Sequence, residues 1–148
     1  MKSILLFFIL GMISSCAQTN DYNTKKGYAI EGYDVVSYFK NKPLEGKNIY
    51  TAEFDGVKFK FSSEENLTAF KKNPEQYLPQ YGGYCAYAIG AKSSKVSINP
   101  KTFEIRNEKL YLFYNAWGTN TLELWKNENT EALKKKADKN WEVIKLKK

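Results

Sequence analysis

Apolar and polar residues alternate most regularly in two places. Tyr50, Ala52 and Phe54 alternate with Thr51 and Glu53, and beyond Asp55-Gly56 the pattern resumes as Val57, Phe59 and Phe61 separated by Lys58 and Lys60. A period of two marks a half-buried strand. Asp-Gly is a favoured two-residue hairpin loop, because both loop positions need positive φ. That loop pairs Phe54 with Val57, Ala52 with Phe59 and Tyr50 with Phe61. Every apolar residue then lands on one face, and Glu53 falls opposite Lys58 on the other. A second hairpin is predicted from Phe103 to Arg106 and from Lys109 to Tyr114. Phe103, Ile105, Leu110, Leu112 and Tyr114 share its apolar face if Asn107-Glu108 turns. Glu is a poor residue for positive φ, so a looser turn is expected there.

Helical spacing fills the gaps. Ser62 stands three residues before Glu65, as in a capping box, and Leu67 and Phe70 give the helix that follows an apolar edge. Asn73-Pro74 ends that helix, and Pro74 can open a further turn through Tyr77 and Leu78. Thr130 is a candidate N-cap for a C-terminal helix with Leu133, Ala137, Trp141 and Ile144 on one side. Asp34 is placed to cap a short helix that buries Val35, Tyr38 and Phe39. The expected fold is α+β: one small domain with two antiparallel β-hairpins, several short helices and a C-terminal helix.

The first residues follow another logic. Lys2 precedes an apolar run from Ile4 to Ile13, and Ile13-Ser14-Ser15 leads into Cys16. A charged start, a short apolar stretch and small residues before a cut site make an export signal. The run is shorter than the roughly 20 residues a membrane span needs. A cysteine directly after Ile-Ser-Ser resembles a bacterial lipobox, which implies cleavage before Cys16 and its acylation. Three regions are expected: a signal at 1–15, a lipidated cysteine with a polar tether at 16–27, and a domain at 28–148. The expected location is the cell envelope, anchored to the outer membrane and facing the periplasm.

Composition narrows the chemistry. The formal net charge is +7, with Lys134-Lys135-Lys136 and Lys145, Lys147 and Lys148 clustered late in the chain. Export argues against nucleic acid as the partner; a solvated helix face is the first reading of the lysines, and contact with anionic lipid head groups, as a secondary effect of tethering, is the second. There is no histidine, and once Cys16 carries lipid the other cysteine, Cys85, has no intramolecular disulfide partner. Without histidine a Cys-His nucleophile is excluded, as is a closed Cys/His zinc site. Met1 and Met12 are the two methionines and both lie in the leader, so the mature chain offers no thioether to copper.

One segment stands apart: Tyr81-Gly82-Gly83-Tyr84-Cys85-Ala86-Tyr87-Ala88. Paired glycines permit a sharp bend or a close approach, and a thiol follows among tyrosines. Cys85 is either a small core residue or a soft ligand facing a pocket. In the second case Cys85, Tyr81, Tyr84 and Asp34 line a small site for a transition metal or small ligand, with Cys85 as the metal ligand.

These segments together resemble the exported YHS-domain proteins of bacteria. The resemblance rests on Gly32-Tyr33-Asp34 with Tyr38-Phe39, Phe59-Lys60-Phe61-Ser62-Ser63 with Phe70, Asn73-Pro74-Glu75-Gln76-Tyr77, the Tyr81 to Ala88 run, Pro100, Lys109-Leu110-Tyr111-Leu112, Tyr114-Asn115 and Asn140-Trp141. It covers most of the chain after Tyr28. In short YHS modules cysteines are thought to bind metal; here the position that often carries one reads Ser62 or Ser63. Val35 stands where the exported relatives usually have Pro, and Asn107-Glu108 replaces a common Asp-Gly turn. The first reading of the chain is a non-enzymatic, lipid-anchored binding module. The alternative is a structural or partner-binding envelope lipoprotein with an inert core thiol. A thiol-dependent redox enzyme ranks last, since Cys85 has no resolving cysteine.

Overall fold

The computed structural model describes residues 21–147. The expected signal at 1–15 and Cys16 lie outside the described residues. The strands are β1 (Thr24–Lys25), β2 (Tyr28–Ala29), β3 (Lys47–Phe54), β4 (Val57–Phe61), β5 (Asn99–Arg106), β6 (Lys109–Phe113), β7 (Asn115–Ala116) and β8 (Thr119–Asn120). The α-helices are α1 (Glu64–Lys72), α2 (Pro74–Tyr77), α3 (Ala86–Lys92), α4 (Thr121–Asn127) and α5 (Thr130–Ile144). Short 3-10 turns occupy Ile30–Gly32, Ser37–Lys40 and Gln80–Gly83. The architecture is α+β, as the patterning requires.

The first hairpin forms with the predicted loop. Phe54 pairs with Val57, Glu53 with Lys58 and Ala52 with Phe59. Asp55 and Gly56 take φ of 52° and 75°. The register slips between Lys47 and Thr51, so Lys47 rather than Tyr50 faces Phe61. This bulge turns Ile49 outward, where it is 76% exposed. Gly56→Val is expected to cost about 1–3 kcal/mol, because a β-branched side chain is strained at that φ. A urea melt coincident with the parent's would contradict this.

The second hairpin also pairs as predicted, Phe103 with Leu112 and Ile105 with Leu110. Its turn is tighter than expected: Asn107 and Glu108 both accept positive φ, 48° and 59°. Both faces of β6 are covered. Leu110 and Leu112 join a core with Tyr38, Phe59, Phe61 and Phe70. Tyr111 and Phe113 join a second core with Trp125, Leu133 and Ala137. The β5–β6 hairpin therefore separates two apolar layers, one roofed by β3–β4 and α1, the other by α3, α4 and α5.

Two caps shift by one residue. Ser63, not Ser62, caps α1 by accepting from Asn66 N, and Asn129, not Thr130, caps α5 by accepting from Ala132 N. Thr130 Oγ1 instead donates to Trp125 O at 2.7 Å, fastening the elbow between α4 and α5.

The tether boundary moves as well. Residues 21–27 belong to the fold: Tyr22 is buried, Asn23 N donates to Gly82 O at 2.9 Å, and β1 pairs with β2. Their polar composition concealed this, because the segment is held by backbone hydrogen bonds and one buried ring rather than by an apolar pattern.

Candidate functional site

Asp34 lies at the centre of a buried polar knot. Its Oδ1 accepts from Val36 N at 2.9 Å and Ser37 N at 3.3 Å, which is the predicted cap on the turn beginning at Ser37. Its Oδ2 accepts from Ser62 N at 2.8 Å, Ser62 Oγ at 2.6 Å and Asn66 Nδ2 at 2.7 Å. The side chain thus ties the 3-10 turn to the end of β4 and the first turn of α1. Five donors occupy one fully buried carboxylate, and none of them is Cys85. Ser62 and Asn66 are the partners that sequence reasoning missed. The spacing to Glu65 points to Ser62 as a cap; with Ser63 in that place, Ser62 turns inward.

Cys85 directly precedes α3, alongside β6, where it bridges to Leu112. It is fully buried. Its Sγ lies 3.2 Å from Thr121 Oγ1, and Thr121 Oγ1 in turn donates to Tyr114 O at 2.8 Å. A hydroxyl has one proton, so the thiol proton is the one that points at Thr121. The sulfur is a donor inside a packed core.

The two tyrosines diverge from it. Tyr81 Oη donates to Asp138 at 2.8 Å, and Tyr84 Oη reaches Asp21 at 3.3 Å. Burial, reinforced by Asp138, drives the Tyr81 phenol well above its ordinary range. Burial and the Asp21 charge push Tyr84 up to about 12. Both are neutral O–H donors at physiological pH, not phenolate ligands. The left-handed backbone around Tyr81 serves contact with the N-terminal segment: at Gly82, φ is +60° and a Cβ would sit 2.0 Å from Asp21 O.

The four residues expected to line one site therefore do not converge. Asp34 closes one knot, Cys85 seals the core, and Tyr81 and Tyr84 clasp separate carboxylates. A surface groove of about 500 Å³ does run past Tyr81, Trp141 and Lys134, but Cys85 is not in its wall. Nor do the residues present fit a transition metal. Cys85 lacks a second soft donor, and of the two serines compared with the cysteine of short YHS modules, Ser62 is spent on Asp34 and Ser63 on the cap of α1. No group of three or more Cys, Asp or Glu residues among the described residues could hold an ion.

Residues 35–81 match the family model of the YHS domain. The matched segment, about a third of the chain, runs from the Asp34-capped turn through β3, β4, α1 and α2 to Tyr81. The match is narrower than the resemblance read from Tyr28 onward. It stops before Cys85, whose partner Thr121 belongs to the C-terminal half. No curated protein and no solved structure matches the chain.

Proposed function

We propose that the protein is a lipid-anchored, non-enzymatic module of the cell envelope, held at the periplasmic face of the outer membrane. Its YHS domain serves as a structural or partner-binding platform built around an inert thiol. The lipobox-like Ile13-Ser14-Ser15-Cys16 supports the anchor. The observation that carries the platform reading is the burial of Cys85 with its proton directed at Thr121. A thiol so placed presents neither a nucleophile nor a free lone pair to a pocket. The reading of Cys85, Tyr81, Tyr84 and Asp34 as a metal or small-ligand site receives less support, since their polar atoms are engaged separately.

The test uses the full chain. Wild type should fractionate with membranes as an acylated, mature-sized protein, and Cys16→Ala should be an unacylated, uncleaved or mislocalised precursor. In the Cys16→Ala background a thiol reagent should modify Cys85 only as the domain unfolds. Cys85→Ser should lower stability by about 1–3 kcal/mol, the cost of a buried hydroxyl with imperfect partners. Rapid labelling of the folded protein, with a metal retained by the parent and lost in Cys85→Ser, would overturn the platform reading.

A further inference from the structure

The exposed side of α5 carries charge and apolar surface of an unusual distribution. Lys135, Lys136, Lys139 and Val143 share an arc of about 100° on a helix of 3.6 residues per turn. All four are exposed, Val143 by 58%. Leu146, 55% exposed, and Lys147 follow in the turn after the helix. The acids of α5 lie off this arc and are each paired elsewhere: Glu131 with Arg106 at 3.2 Å, Asp138 with Lys134 at 2.8 Å and Glu142 with Lys145 at 2.6 Å. Among the described residues no ion pair involves Lys135, Lys136, Lys139 or Lys147. The stripe keeps its positive charge and ends in two exposed aliphatic side chains.

This end of α5 is also where the chain arrives from Cys16. Lys95 pairs with Asp21 and donates to the carbonyls of Lys145 and Lys147. From Cys16 to Asp21 there are five residues, which span at most about 18 Å. An acyl chain on Cys16 therefore holds the end of α5 within one short segment of the bilayer surface.

We infer that this stripe docks on an anionic phospholipid bilayer, with the lysines against phosphate head groups and Val143 and Leu146 at the acyl boundary. The inference rests on the anchored reading above. The pairing of an acyl chain with a basic patch supplies the two signals that stable membrane attachment needs.

The test separates this surface from the anchor. The full chain carrying Cys16→Ala is mixed with vesicles of phosphatidylcholine alone or with added phosphatidylglycerol. The apolar leader binds both, so the readout is the ratio of the two partition coefficients. We expect a ratio favouring phosphatidylglycerol that collapses in high salt. Adding Lys135→Gln, Lys136→Gln and Lys139→Gln should reduce it by roughly 5-fold per lysine. Val143→Ser with Leu146→Ser should weaken binding to both vesicle types. A ratio unaffected by the lysine changes overturns the proposal. So does a dimer in sedimentation that these changes dissolve, since a second copy would then cover the face. Acylation of Cys16, read by mass in the wild-type chain, is scored independently. Acylated protein without the phosphatidylglycerol preference removes the docking surface and leaves the anchor. The preference without acylation supports the surface and removes the anchor.

Discussion

Asp34→Ala is expected to destabilise the domain by more than about 3 kcal/mol. The change strands Val36 N, Ser62 N and Ser62 Oγ, while Ser37 N keeps Asp34 O at 3.1 Å and Asn66 Nδ2 keeps Ser62 Oγ at 3.3 Å. Each buried group left without a partner costs about 1–3 kcal/mol, and a small domain has only about 5–15 kcal/mol to lose. Together the stranded groups exceed about 3 kcal/mol. Asp34→Asn keeps one acceptor oxygen but turns an NH₂ toward a donor, so it should fall between parent and Ala. Urea melts followed by far-UV circular dichroism rank the three proteins. An Ala variant within about 1 kcal/mol of the parent would show that water replaces the carboxylate fully.

Trp125→Ala is expected to cost about 3–5 kcal/mol, the range for deleting a fully buried large aromatic. The ring is fully buried against Tyr111 and Phe113, with centroids 6.0 and 5.6 Å away. Its Nε1 donates to Glu104 Oε2 at 3.0 Å, and Glu104 also receives Arg106 through two nitrogens at 3.1 Å. The carbonyl of Trp125 receives Thr130, so a collapse here also loosens the α4–α5 elbow. Trp125→Phe keeps most of the volume and loses the N–H, and should cost much less. If the two variants melt together, the indole N–H rather than the packing is what the site needs.

How far the chain could be read before its structure depends on whether the determining contact is local. The 50–61 hairpin was legible because Asp55-Gly56 and the alternation agree. The bulge ahead of Thr51 was not, since nothing in Ile49-Tyr50 marks an extra residue. The run Leu110-Tyr111-Leu112-Phe113 was read as one-faced, yet a continuous apolar run suits a strand covered on both sides. Its second covering, Trp125 and Leu133, lies beyond any short-range pattern.

The candidate site failed for a related reason. Tyr81, Tyr84 and Cys85 are neighbours in sequence and were read as neighbours in function. A left-handed bend at Tyr81 and Gly82 intervenes, and the two tyrosine rings pack against Trp141 while Cys85 is sealed in the core. Each then finds a partner far along the chain: Asp138, Asp21 and Thr121. Asp34 was read correctly as a cap, but its second oxygen belongs to Ser62 and Asn66, about thirty positions away.

The pairing of β1 with β2 and of β2 with β4 has a mechanical consequence. Tension applied through the chain ahead of Asp21 first meets the Asp21–Lys95 pair and the buried Tyr22 ring; β1 follows, antiparallel to β2, so its bonds open singly, like a zip. The Asn23 links to Gly82 and Gly83 are also in this path. β2 is different: it runs parallel to β4, with Tyr28 opposite Lys58, and a pull along it loads that contact in shear. A domain tugged by its leading end should therefore give way in two stages. A short compliant extension through Lys25 precedes a stiff clamp at Tyr28, and everything after Tyr28 is shielded until that clamp slips.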